Sequence, residues 1–139
     1  MKRVVLDCSV TLSWCFSDES NAFSDEVLHY IKKNGALVPP IWTLEITNGF
    51  LTAERKKRLP LTAALQFLEM FARLPIRMSP VSATENCSQV FKLAHQNHLS
   101  TYDASYLYLA IREKLPLVTL DKDLIQAAKK HRLPPIKPF

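Results

Sequence analysis

Val4-Val5-Leu6-Asp7-Cys8-Ser9 is the stretch on which the fold turns. Three apolar residues run without alternation and stop at an acid. Alternation marks a strand with one wet face; a short continuous run marks a strand buried on both faces, as in a parallel sheet. Similar runs recur outward along the chain. Ala36-Leu37-Val38 follows Gly35 and ends at Pro39-Pro40. Ile76-Arg77-Met78 lies between Pro75 and Pro80. Leu117-Val118-Thr119-Leu120 ends at Asp121. A weaker piece surrounds Ile136 among three prolines.

Helical patterns fill the intervals. Residues 21–33 place Ala22, Phe23, Val27, Tyr30 and Ile31 on one stripe, with Gly35 as the stop. Further helices are expected over 43–58, over 61–73 after Pro60, and from Asp121 to His131. Ser82-x-x-Glu85 and Ser100-x-x-Asp103 are capping-box patterns that open helices to Asn97 and Lys114. Single or paired helices between short buried strands give an α/β architecture around a parallel sheet of four to five strands.

Composition agrees with a globular chain. The 139 residues are 47% hydrophobic and 22% charged, enough for one domain spanning 1–139 with its own core. Two glycines exclude Gly-rich phosphate loops. Cys8, Cys15 and Cys87 form no CxxC pair, which favours a reducing cytoplasm over a disulfide framework. The opening apolar run stops at Asp7, too short for a signal core. No run approaches the ~20 apolar residues of a membrane span. The net charge of +5 favours a polyanionic partner such as nucleic acid.

The acids carry the chemistry. Parallel α/β sheets bind ligands beyond the C-terminal ends of their strands. Asp7 and Asp121 stand at two such ends. Glu45 lies early in the helix after the second strand, with Asn48 and Thr52 on its face. Asp103 begins the helix before the fourth strand. Each has a structural alternative: Asp103 as a capping-box residue, Asp121 as a helix N-cap, Glu45 as a dipole partner. Asp7 has the fewest. Four converging carboxylates repel one another unless a cation sits among them. An all-oxygen donor set selects Mg²⁺ or Mn²⁺, which would activate water for attack on a phosphodiester. The basic run Arg55, Lys56, Lys57 and Arg58 is the candidate contact for RNA phosphates. Trp14, Cys15 and Phe16 are core or a patch for a partner helix.

Four blocks in order carry a resemblance: Val4-Val5-Leu6-Asp7-Cys8-Ser9, Pro39-Pro40-x4-Glu45-x-x-Asn48, Tyr102-Asp103-Ala104-Ser105 and Thr119-Leu120-Asp121-Lys122-Asp123-Leu124. Together they resemble the PIN-domain family, and within it the VapC-type ribonuclease toxins of type II toxin–antitoxin pairs. The resemblance implies a three-layer α/β/α domain and a Mg²⁺- or Mn²⁺-dependent endoribonuclease. It also implies a cognate antitoxin that masks the site, and a homodimer. On this match Asp7, Glu45, Asp103 and Asp121 are the metal-binding catalytic acids. Ser9, Asn48 and Thr119 support them, and Asp123 is secondary. The alternatives are a catalytically silent RNA- or protein-binding module on the same fold, a His-based ribonuclease, and a phosphoacceptor domain. The last needs an acid pair after the first strand, where Asp7 stands alone.

Overall fold

The computed structural model describes residues 2–135. Four parallel strands, β1 (Val4–Leu6), β2 (Ala36–Val38), β3 (Ile76–Met78) and β4 (Leu117–Val118), form one sheet in the order β3-β2-β1-β4. Val5 pairs with Leu37 on one side and Leu117 on the other. Every residue of β1, β2 and β4 is buried. This is what their unbroken apolar runs predict. The stretch near Ile136 lies outside the described residues.

β3 departs from that prediction. It is an edge strand, and Arg77 and Met78 are exposed. An edge strand buries less, and Arg77 in the middle of the run is the signal for it.

Helices cover both faces. On one, α1 (Cys8–Ser13) packs on α2 (Ala22–Asn34) and α3 (Ile41–Arg55), and α3 packs on α4 (Leu61–Arg73). On the other, α7 (Thr101–Glu113) lies on β1 and β4 and packs against α6 (Phe91–Asn97) and α8 (Lys122–Lys130). Right-handed crossovers require this division when the strand order reverses at β1. The result is the three-layer α/β/α sandwich, with the switch point between β1 and β4. Ligands collect at such points.

Four local features depart from the expectation. A helix, α1, starts directly after Asp7. The helix of 41–55 starts two residues earlier and stops three earlier than expected, with Lys57 in the left-handed region at φ 59°. The helix opened by Ser82 is not uniform: α5 (Ala83–Glu85) passes through a π-turn over Asn86–Val90 before α6. Ala22, placed on the inner stripe of α2, is exposed, whereas Val27 and Ile31 are fully buried. The Trp14-Cys15-Phe16 alternative resolves toward the core. Cys15 and Phe16 are buried, and Trp14 packs edge-on to Phe71 and donates from Nε1 to Ser24 O at 2.8 Å.

Packing between α1, α3 and α4 sets where Glu45 stands. A Cβ on Gly49 would lie 3.1 and 3.2 Å from the two Leu12 methyls, so glycine lets α1 press onto α3. Trp42 Nε1 donates to Thr11 Oγ1 at 3.2 Å across the same seam. Phe50, Phe67 and Phe71 stack at 6.2–6.4 Å and lock α3 to α4. Arginine is used similarly elsewhere. Arg112 donates to Glu85 at 2.8 Å, Ser79 Oγ at 2.7 Å and Pro80 O at 3.1 Å, fastening α7 to the segment after β3. Tyr108 donates to Glu85 as well, and Glu85 is held down at about 2 by Ser82 N–H first, then Tyr108 and Arg112.

Gly35 ends α2 at φ 82° and ψ 171°, a region open essentially to glycine alone. A Cβ there would also sit 3.1 Å from Pro75 O. Gly35→Ala is expected to cost about 1–2 kcal/mol in urea unfolding. A change below the error of the titration would show that the turn relaxes freely.

Candidate active site

Asp7 follows the last residue of β1, and its N–H still pairs with Val118 O of β4 at 3.0 Å. The chain then turns into α1, for which Asp7 is the N-cap. The side chain is 5% exposed. One oxygen, Oδ2, accepts from Ser9 Oγ at 2.6 Å, Thr119 Oγ1 at 2.8 Å and weakly from Ser9 N at 3.4 Å. The other, Oδ1, takes no hydrogen bond among the described residues. The carboxyl is therefore fixed by one oxygen and presents the second. Burial raises its pKa, Ser9 and Thr119 oppose the rise, and the Asp121 charge adds to it.

Ser9 and Thr119 link the two strand ends. Thr119 Oγ1 accepts from Asp121 N at 3.0 Å, and Ser9 Oγ accepts from Leu120 N at 3.0 Å. Both hydroxyls thus face Asp7 as donors and the β4–α8 turn as acceptors, a double use open to hydroxyls but not to amines or carboxylates. The supporting positions expected from the sequence, Ser9 and Thr119, are placed against Asp7. Asn48 is exposed on α3 and forms no hydrogen bond to the acids among the described residues.

Glu45 stands half-buried in the second turn of α3. Tyr106, itself fully buried on α7, donates its hydroxyl to Glu45 Oε1 at 2.5 Å. Burial raises Glu45 most; Tyr106 opposes this, and the Asp7 and Asp103 charges add to it. Tyr106 is pushed far up in turn, first by burial and then by Glu45, so it remains a donor. Tyr106 lies outside the sequence blocks that carry the acids. Its signal was its place three residues after Asp103, on the same helix face.

Asp103 resolves one of the alternatives. Ser100 Oγ accepts from Asp103 N at 3.0 Å, but no bond returns from the Asp103 carboxylate to Ser100 N. The true reciprocal box is at Ser82 and Glu85. The Asp103 carboxyl is steadied by the Ser100 side chain, which opposes the rise in its pKa, but it closes no reciprocal box among the described residues. Burial raises its pKa, followed by the charges of Asp7 and Asp121, with Asp123 a smaller contributor. Asp121 does cap its helix, accepting from Leu124 N at 2.9 Å through Oδ1. Asp123 is exposed in the first turn of α8.

The acids of β1, α3, α7 and the β4–α8 turn thus feel one another's charge. Cys8, between them, is raised by burial and then by Glu45, Asp7 and Asp103, which leaves its thiol protonated and without nucleophilic use. Among the described residues no three His, Cys, Asp or Glu side chains are close enough, as they stand, to ligate one ion. The donor chemistry nonetheless suits a hard divalent cation: oxygen donors only, a free Asp7 oxygen, and mutually raised carboxyls that a cation would stabilise as anions. None of the four His hydrogen-bonds to the acids among the described residues. His131 Nε2 instead meets Asn97 Nδ2 at 3.1 Å.

The basic run is divided. Arg58 pairs with Asp18 at 3.2 Å and Glu19 at 3.1 Å and lies 4.7 Å over the Phe16 ring, fastening the segment after α1. Arg55, Lys56 and Lys57 are exposed and make no ion pair among the described residues. No described helix is long and apolar enough to cross a membrane.

No curated protein matches the chain. Among solved structures it is similar to PAE2754 from Pyrobaculum aerophilum, with a TM-score of 0.70 and 21% identity over 91% of this chain and 86% of that one. At that identity the likeness speaks for the fold. A family model described as the PIN domain matches residues 4–130. The match runs from the first strand to the end of α8 and takes in Asp7, Glu45, Asp103 and Asp121, so the chain belongs to the PIN-domain family.

Proposed function

We propose that the protein is a Mg²⁺- or Mn²⁺-dependent endoribonuclease of VapC type, the toxin of a type II toxin–antitoxin pair. On this reading 1–139 is a single domain that works in the cytoplasm as a homodimer and is masked by its antitoxin. PIN domains are generally metal-dependent nucleases, which supports the broad class. The observation that carries the reading is Asp7: a buried carboxylate at the switch point, fixed through one oxygen, with no hydrogen bond on the other among the described residues, in electrostatic reach of three further acids.

Asp7, Glu45, Asp103 and Asp121 would hold the cation. A divalent ion bound there lowers the pKa of a water and stabilises charge on a phosphodiester. The chain's own residues prepare that site. Ser9 and Thr119 fix the Asp7 carboxyl against rotation. Tyr106 fixes Glu45 through Oε1, and Oε2 has no hydrogen-bond partner among the described residues. Asp103, at the start of α7, lies within electrostatic reach of Asp7 and Asp121. Arg55, Lys56 and Lys57 are available to RNA phosphates, whereas Arg58 is already paired.

The test is cleavage of a structured RNA with Mg²⁺ or Mn²⁺, with and without chelator. Turnover that chelator abolishes, leaving 5′-phosphate and 3′-hydroxyl ends, is expected. The melting temperature should also rise with added cation, because a ligand of the folded state alone stabilises it. Salt-sensitive RNA binding without any turnover would establish the silent binding module instead.

A further inference from the structure

An open groove of about 410 Å³ is lined by Pro39, Leu44, Asn86, Val90, Tyr102 and Ser105 among others. That volume is within the range of small-ligand sites, roughly 300–1,000 Å³. Its place is what matters. Leu44 immediately precedes Glu45, and Tyr102 immediately precedes Asp103. Ile41, also in the lining, stands four residues before Glu45 on the same face of α3, and Tyr102 and Ser105 flank Asp103 at the start of α7, so the groove borders the two helix starts that carry these acids. Leu44 is 65% and Tyr102 60% exposed, unusual for large side chains beside a site.

Its chemistry narrows the occupant. Pro39, Ile41, Val81 and Val90 give it apolar surface, and no charged side chain is among its described lining residues. A phosphate or a carboxylate would find no counter-charge there. Polar groups sit at intervals instead. The exposed Asn86 carboxamide makes no hydrogen bond among the described residues, and neither does the Tyr102 hydroxyl. Tyr102 is steadied through its backbone, where O accepts from Ser105 Oγ at 2.6 Å. One wall is the π-turn Asn86–Val90, which contributes Asn86, Cys87 and Val90. Such turns recur at functional sites. A neutral, flat group with apolar faces and a polar edge matches this lining.

We propose that the groove is a subsite for one unpaired nucleobase of the RNA, next to the phosphate delivered to the acids. Tyr102 is the face on which the base stacks, and Asn86 reads its edge with a donor beside an acceptor. The inference rests on the nuclease reading and adds to it the two side chains, Tyr102 and Asn86, that hold and read one base.

Steady-state cleavage and chelator-arrested binding of one short single-stranded RNA test it. Base stacking on an aromatic residue carries roughly 5- to 150-fold in affinity. Tyr102→Ala should raise KM and the chelator-arrested Kd within that range, with a smaller change in kcat. Tyr102→Phe should restore both, since the ring remains. An abasic nucleotide at the subsite should erase the difference between Tyr102→Ala and the parent protein, and Asn86→Ala should flatten its base preference. Unchanged KM and Kd in Tyr102→Ala overturn the subsite. So does a loss that sedimentation traces to a broken association of two copies. If the parent binds the RNA through Tyr102 but never cleaves it, the nuclease reading falls and the subsite stands. If no variant binds, both fall.

Discussion

Asp7→Asn should lower metal-dependent RNA cleavage by at least ~100-fold while raising the melting temperature of the cation-free protein. The two effects have one cause. At neutral pH the parent buries an ionised carboxylate that water would solvate better, and its pKa is raised chiefly by that burial. A carboxamide has nearly the same shape and still accepts from Ser9 and Thr119 through its oxygen. It removes the buried charge and the repulsion from Asp121. The pH dependence follows with a definite sign. A carboxyl whose folded pKa exceeds its unfolded pKa binds more protons when folded, so it costs stability as pH rises through that interval. Below the unfolded value the parent Asp7 is neutral in both states. The melting-temperature gap between variant and parent should therefore be widest near neutrality and close toward pH 4. Added Mg²⁺ should reverse the order, stabilising the parent and leaving the variant unmoved. Thermal melts across pH, with and without cation, check each limb. A variant less stable than the parent at pH 7 without cation would mean that the Asp7 charge stabilises the start of α1 by more than its burial costs. Retained cleavage would remove Asp7 from the chemistry.

That alternative shows where the sequence was informative and where it was not. The buried strands were legible because a residue buried on both faces of a sheet leaves no room for alternation, and Val4–Leu6, Ala36–Val38 and Leu117–Val118 all obey this. β3 was misjudged as buried although Arg77 broke its run. α1 was invisible. Six residues, Cys8–Ser13, are too few to show a helical period, and Asp7 carries its cap and its chemistry at once. The electrostatic reach among the acids follows from topology, since the helix after β2 and the helix before β4 both begin at the C-terminal ends of the strands. What spacing could not separate was cap from ligand. Ser100-x-x-Asp103 and Ser82-x-x-Glu85 are the same pattern, yet only the second closes reciprocally, because Glu reaches back one methylene further than Asp. The role of Arg58 was equally hidden. Its partners, Asp18 and Glu19, lie forty and thirty-nine residues away, a separation that no local pattern encodes.

Tyr106→Phe should cost about 1.5–3 kcal/mol of stability at neutral pH, because the hydroxyl's hydrogen bond goes to an ionised group. Cleavage should fall roughly 10- to 100-fold, the usual cost of losing a group that orients a metal ligand. The ring stays, so no cavity opens in the core around Leu107 and Leu109. Only the donor is lost, and with it the one hydrogen bond to the Glu45 carboxyl among the described residues. Without it, burial and the Asp7 and Asp103 charges act on Glu45 unopposed, and its pKa should rise further. The acid limb of the cleavage pH profile should then move to higher pH. That displacement is the discriminating result: a purely structural tyrosine would lower stability and activity but leave the profile where it was. Glu45→Gln combined with Tyr106→Phe completes the cycle. If Tyr106 acts through Glu45, the double variant should be little worse than Glu45→Gln alone, since the remaining loss is shared. Strict additivity of the two in cleavage would place Tyr106 outside the site, as a core residue whose hydroxyl only happens to reach α3.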